Sequence, residues 1–153
     1  MNLNKQEKML LKVLQEQGRI SNVELAEQVG MSESPCYRRV KSLEGAGVIT
    51  GYGAKVDRRK LGLQVTAFIL VTVESQEDDR LKEFFDAVST EDLIVECHAM
   101  AGAHDYLLKA VAKSMDHFSD LVMKRVLKIP GVKNVESNFS LRVVKEGAPI
   151  PAD

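Results

Sequence analysis

The chain has no tryptophan, two cysteines, four prolines and three histidines in 153 residues. Two thiols, Cys36 and Cys97, cannot build the multi-bridge framework of a small secreted domain, and no Cys-x-x-Cys or other ligand-like spacing offers a metal cage. Both are expected as buried free thiols in a reducing compartment. No apolar run approaches the ~20 residues needed to span a bilayer, and Met1-Asn2-Leu3-Asn4-Lys5 lacks the apolar core of an export signal. The expectation is a protein of the cytosol without a membrane partner. Catalytic groupings are scarce too. Cys97 and His98 are neighbours on an expected strand and so face opposite ways. His104-Asp105 has neither a third orienting group nor a phosphate-cradling loop. Neither an enzyme nor a metal site is expected.

Net charge is also small, at −1, but it is unevenly spread. Residues 1–62 hold 11 Lys/Arg against 7 Asp/Glu, and residues 63–153 hold 10 against 15. A basic front half and an acidic back half suggest that only the front approaches phosphates. The pattern divides at the same place, giving expected domains at 1–62 and 63–153.

In the front half, Met9, Leu10, Val13 and Leu14 recur at helical spacing over about 4–17, and Gly18 ends that helix. Ser21-Asn22-Val23-Glu24 has the form of a capping box and opens a second helix that buries Val23, Leu25 or Ala26, and Val29, then stops at Gly30. Ser32 starts a third, with Pro35 in its first turn, where a missing N–H costs nothing. Cys36, Val40, Leu43 and Gly47 form its inward stripe. Three helices with a glycine-containing turn between the last two make a helix-turn-helix unit. Val48–Tyr52 and Ala54–Asp57 read as the two short strands of a wing, and Arg58–Gly62 as a connector.

In the back half, Val65, Ala67, Ile69, Val71 and Val73 alternate along a strand over about 64–74. A helix follows from Ser75-Gln76-Glu77-Asp78, with Leu81, Phe84, Phe85 and Val88 on one face. Strands over 93–100 and 105–112, a helix over 115–128 capped by Ser114, and a strand carrying Val135 to Val143 complete a βαββαβ order. That is an α+β chain: a winged helix-turn-helix followed by a ferredoxin-like domain. The helix over 115–128 has a second apolar stripe, Met123 and Leu127, which is either a wide core face or a subunit contact.

Ser34-Pro35-Cys36-Tyr37-Arg38-Arg39-Val40, Leu43-Glu44 to Gly51-Tyr52, Gly102 to Tyr106 and Ile129-Pro130-Gly131-Val132 occur in an order and spacing that resemble the Lrp/AsnC family of leucine-responsive, feast/famine regulators. The resemblance covers about 3–145. It implies transcription regulation from the bacterial or archaeal cytosol as a nucleoid-associated protein. It also implies a DNA reader joined to a domain that dimerises and senses amino acids, with dimers assembling into a ring such as an octamer.

With Cys36, Val40 and Leu43 inward, Ser34, Tyr37, Arg38 and Lys41 face outward, flanked by Arg39 and Ser42. The first turns of a recognition helix, here Ser32 to Arg38 with Pro35, meet base edges. Ser34, Tyr37 and Arg38 are the base-proximal set, although Tyr37 could instead pack on the wing. Arg39, Lys41 and Lys55 suit phosphate contacts, which position without specifying. Ser21 or Asn22, at a helix start, can offer a backbone N–H to phosphate.

A free amino acid needs N–H donors for its carboxylate and an acceptor for its ammonium. Met100 and Ala101 lead into Gly102-Ala103-His104-Asp105-Tyr106, a loop that can offer amides and the Asp105 carboxylate; the other reading is a plain hairpin. The resemblance adds Met115, Phe139 and Ser140 as effector contacts, completed by a neighbouring dimer. Ala103 stands where the family pattern carries an acid, and His104 can compensate. Met100, Met115 and Phe139 suit leucine or methionine as effector, and no other cofactor is expected. The competing reading is an architectural protein that wraps DNA with little effector response.

Overall fold

The computed structural model describes residues 3–74 and 78–152. It divides into two compact units, each with its own core: one runs to Lys55 and includes the tail from Val144, and the other spans Val56–Val143.

The first unit is three helices: α1 (Lys5–Glu16), α2 (Asn22–Val29) and α3 (Glu33–Gly45). Asn4 and Glu7 cap α1 reciprocally, and Ser21 and Glu24 do the same for α2. Both boxes satisfy amide groups that a helix start leaves without partners. Both α2 and α3 end in a Schellman closure. Beyond α2, Gly30 is left-handed (φ 67°), its N–H donates to Glu27 O and the Met31 N–H to Ala26 O. Beyond α3, Gly47 is left-handed (φ 70°), its N–H donates to Glu44 O and the Val48 N–H to Leu43 O. The buried centre is Leu10, Leu25, Ala26, Val29 and Cys36, with Leu43 and Leu11 also sealed.

Several expectations about this unit need correction. Leu11 joins Leu10 inside while Met9 faces out, and Val23 is exposed at the first turn of α2. Gly47 does not lie on an inward stripe; it is the turn residue beyond the helix. The two wing strands do not form: residues 50–57 carry no strand pairing. Gly51 and Gly53 weaken any strand there, and the Val56 side chain, 64% exposed, finds nothing to pack on.

The second unit holds β1 (Val65–Val73), α4 (Asp78–Thr90), β2 (Ile94–Ala99), β3 (Tyr106–Ala112), α5 (Met115–Lys124), a 3-10 turn at Val126–Lys128 and β4 (Val132–Phe139). The residues where α4 was expected to open, Ser75 to Glu77, lie outside those described. The sheet order is β2-β3-β1-β4, antiparallel throughout. Ala67, Ile69 and Val71 of β1 and Tyr106, Leu108, Ala110 and Ala112 of β3 share the face that α4 and α5 cover with Phe84, Val88, Phe118, Leu121 and Val122. Phe85, 44% exposed, leaves that core but meets the Tyr106 ring edge-on at 5.6 Å. Phe68 and Leu70 of β1 and Leu107 and Val111 of β3 point to the opposite face.

Two boundaries and the burial of one cysteine differ from the sequence reading. α5 stops at Lys124 and tightens into the 3-10 turn. β4 ends at Phe139, opposite Ala67, with one further bond from the Ser140 N–H to Thr66 O; Leu141, 95% exposed, lies beyond the sheet. Cys97 is exposed on the edge strand β2, whereas Cys36 is buried as expected.

Candidate DNA-reading and ligand-binding sites

On α3, Cys36 and Leu43 are fully buried. The opposite side shows Ser34, Tyr37, Arg38, Lys41 and Ser42 to solvent. Tyr37 is 54% exposed and is not packed on a wing; its ring lies 5.7 Å below the Lys41 ammonium. Ser32 holds the cap position without a side-chain bond, and Pro35 sits third in the helix among the amides that need no helical acceptor.

The cations differ in how they are held. Lys41 reaches the Glu44 carboxylate at 2.7 Å, and the Tyr52 hydroxyl donates to the other Glu44 oxygen at 3.0 Å. The carboxylate keeps the Lys41 ammonium charged to higher pH, while Lys41 first and then Tyr52 hold Glu44 below the usual carboxylate range. Burial, aided by Glu44, raises the Tyr52 phenol. This triad ties the end of α3 to the glycine-rich segment after it. Arg39 leans toward Glu7 of α1 at 3.7 Å. Among the described residues, no carboxylate tethers Arg38 or Lys55. The Ser21 hydroxyl is occupied as a cap, and the Asn22 amide donates to Glu33 O at 3.0 Å, locking the start of α2 to the start of α3. Their side chains are therefore spent on scaffold, which leaves the helix-start amides as what they can present.

In the second unit the ligand candidates form two groups. Met100 to Asp105 is a six-residue loop, longer than the tight connection expected, closed by the Met100 N–H donating to Asp105 O at 2.8 Å. The Asp105 N–H donates to Val71 O, and its carboxylate accepts the Val73 N–H at 2.8 Å, at the point where the β1–β4 register shifts. His104 meets the Thr72 hydroxyl at 3.3 Å and lies 3.8 Å from Glu136. Met100, Ala101 and Gly102 stay exposed. Tyr106 is core, its ring 4.7 Å from Phe84.

The other group is Met115, Phe139 and Ser140. Met115 is exposed at the start of α5, Phe139 packs edge-on to Phe118 at 5.0 Å, and the Ser140 N–H donates to Thr66 O. Phe139 is opposite Ala67 on β1, and Tyr106 opposite Val71. Four residues of strand separate those positions, roughly 13 Å. One chain thus carries the two groups at opposite ends of its sheet and does not bring them together. Sequence reasoning placed both groups but had no register with which to see that they part.

Comparison with known proteins adds what geometry alone does not. Residues 3–50 match a family model described as winged helix-turn-helix DNA-binding, and residues 66–150 one described as Lrp/AsnC ligand binding domain. A leucine-responsive regulatory protein of Rhizobium meliloti is 39% identical over 141 residues, covering 92% of this chain and 90% of its own. The transcriptional regulator AzlB of Bacillus subtilis is 31% identical over 151 residues, 99% of this chain and 96% of its own. Among solved structures, the complex of transcriptional regulator NMB0573 of Neisseria meningitidis with L-Met superposes with a TM-score of 0.93 at 38% identity, covering 97% of this chain and 96% of that one.

Proposed function

The chain belongs to the Lrp/AsnC family of transcriptional regulators, and from that membership we propose that it reads a specific DNA sequence through α3 and alters its assembly or its grip on DNA when methionine or leucine binds. The coarser statement stands by itself: the protein is a DNA-binding regulator with an amino-acid ligand-binding domain. The observation that carries the finer reading is the split character of α3, sealed at Cys36 and Leu43 and open at Tyr37 and Arg38.

Arg38, free of any carboxylate, is the base reader. Its guanidinium can bond a guanine edge through two N–H groups, worth ~1–3 kcal/mol of discrimination. Lys55 and the α2 start take phosphate. Lys41, tied to Glu44, contributes to phosphate contact only after that pair opens. Gel shifts across a salt series test these roles: Arg38→Ala is expected to lose sequence preference, and Lys41→Ala to weaken all sequences alike. Unchanged binding by Arg38→Ala defeats the assignment.

The effector reading is supported by the loop amides of Gly102 to His104, by the apolar Met115 and Phe139, and by the likeness to a relative solved with L-Met. A ligand that uses both groups requires two protomers, one supplying the loop and the other the Met115–Phe139 end. Self-association is supported by the uncovered sheet face with Phe68 and Leu70, and by exposed Met123 and Leu127 on and after α5. A ring such as an octamer follows if both surfaces are used. Calorimetric titration with methionine and leucine decides the ligand. Asp105→Asn keeps an oxygen for the Val73 N–H and removes the charge, so it is expected to fold normally and to bind at least tenfold more weakly.

A further inference from the structure

The chain's last residues leave the sheet and group with the helical unit. Their sequence is Gly147-Ala148-Pro149-Ile150-Pro151-Ala152. Gly147 turns the backbone at φ 58°. Ala148 and Ile150 each precede a proline, whose ring pushes the preceding residue into extended or polyproline conformation. The segment is therefore stiff before it meets anything, and it loses little freedom on docking. Prolines carry no N–H, so Ile150 is the one donor among residues 149–151.

Gln15 of α1 meets that one donor. Its Oε1 accepts the Ile150 N–H at 2.7 Å, and its Nε2 donates to Ile150 O at 3.1 Å. A single primary amide thus grips both backbone groups of one residue. Beside this contact the tail residues Ile150, Pro151 and Ala152 form one wall of an apolar cleft of about 370 Å3, whose other walls are Leu11 and Leu14 of α1 and Val48, Ile49 and Tyr52 of the segment after α3. An aromatic-sided groove with an amide on its rim is the kind of surface that takes proline-rich extended chain. Pro149, Ile150 and Pro151 all stay exposed, Ile150 by 76%, so the two Gln15 bonds hold the tail rather than burial.

We propose that the α1 surface around Gln15 is a docking site for a proline-flanked extended segment, that its occupant is the chain's own residues 148–152, and that the tail is a releasable strap by which the ligand-binding domain restrains the DNA reader. The second clause rests on geometry alone. The third rests on the effector reading above, because the strap leaves the chain just after Ser140, one of the ligand candidates. The strap's grip is weak piecewise and is made adequate by tethering, which holds the segment near its docking site at an effective concentration on the order of millimolar.

Hydrogen exchange on the full chain, on a form ending at Val143 and on Gln15→Ala tests docking. Exchange at residues 10–16 and 48–52 is expected to quicken several-fold in both variants, with circular dichroism unchanged. A synthetic Gly-Ala-Pro-Ile-Pro-Ala peptide at millimolar concentration is expected to restore protection to the shortened chain and not to Gln15→Ala. Equal exchange in all three forms overturns the strap. Gel shifts with and without methionine test coupling: the shortened chain is expected to keep DNA binding and lose the methionine response. If the full chain itself shows no methionine response, the effector reading fails, while the exchange result still decides whether the tail docks.

Discussion

Thr66 is buried on β1, and its hydroxyl is the one sealed side-chain polar atom without a hydrogen-bond partner among the described residues. An orphan hydroxyl keeps its desolvation cost with no bond to offset it. Thr66→Val, nearly isosteric, is expected to raise stability by about 1 kcal/mol in thermal melts; a loss of that size would mean that the hydroxyl finds a partner in the assembled protein. Glu44 gives a pH signature. Folding lowers its pKa through Lys41 and Tyr52, so its contribution is complete above the ordinary carboxylate range and fades as pH falls through the lowered value. Melts of wild type and Glu44→Gln are expected to differ at neutral pH and to converge in acid. At this scale the sequence told much about who is outside on α3 and little about pairing. The outward set of Tyr37, Arg38 and Lys41 was legible from periodicity. Lys41 and Glu44 stand at a local i,i+3 spacing; what no local pattern held is that Tyr52, eight residues beyond Glu44, folds back to the same carboxylate.

Helix ends were the most legible elements, since their rules are local. Ser21 with Glu24, Gly30 and Ser114 cap where a capping pattern says they should. Asn4 with Glu7 follows the same rule and was there to be read. Gly47 shows how local rules compete: a helical period put it inside, but its left-handed turn ends α3. No atom lies within 4 Å of a Cβ built there, so Gly47→Ala meets no clash and only the φ penalty, about 1–2 kcal/mol. Urea denaturation is expected to show that loss, with the denaturant slope unchanged. Strands were harder, because they depend on distant partners. β1 was legible from strict alternation. The wing was not: Val48–Tyr52 and Ala54–Asp57 read as paired strands, yet no pairing forms across them. β4 stops pairing at Phe139 although the alternation of Leu141 and Val143 continues past it, so the local pattern overran the strand.

For the whole molecule, the chain passes between its two units twice, at Lys55–Val56 and at Val143–Val144, and the first passage lies in a segment without strand pairing. Lys55 and the exposed Val56 lie in that segment. Brief trypsin treatment is expected to cut first after Lys55, yielding fragments that end and begin there by mass spectrometry; first cleavage inside α1 would speak against compact units. Domain order and the βαββαβ topology were readable from pattern, charge asymmetry and motif order, because each domain's periodicity is self-contained. The layout of the ligand site was not, because it depends on how strands register.

That layout reaches beyond one chain. Under the effector reading proposed above, a pocket whose two walls stand at far ends of the same sheet would turn amino-acid sensing into a census: a lone molecule would offer half a receptor, and recognition would strengthen only as copies accumulate. Nutrient level and the abundance of the regulator would then enter the response as a product rather than as separate inputs.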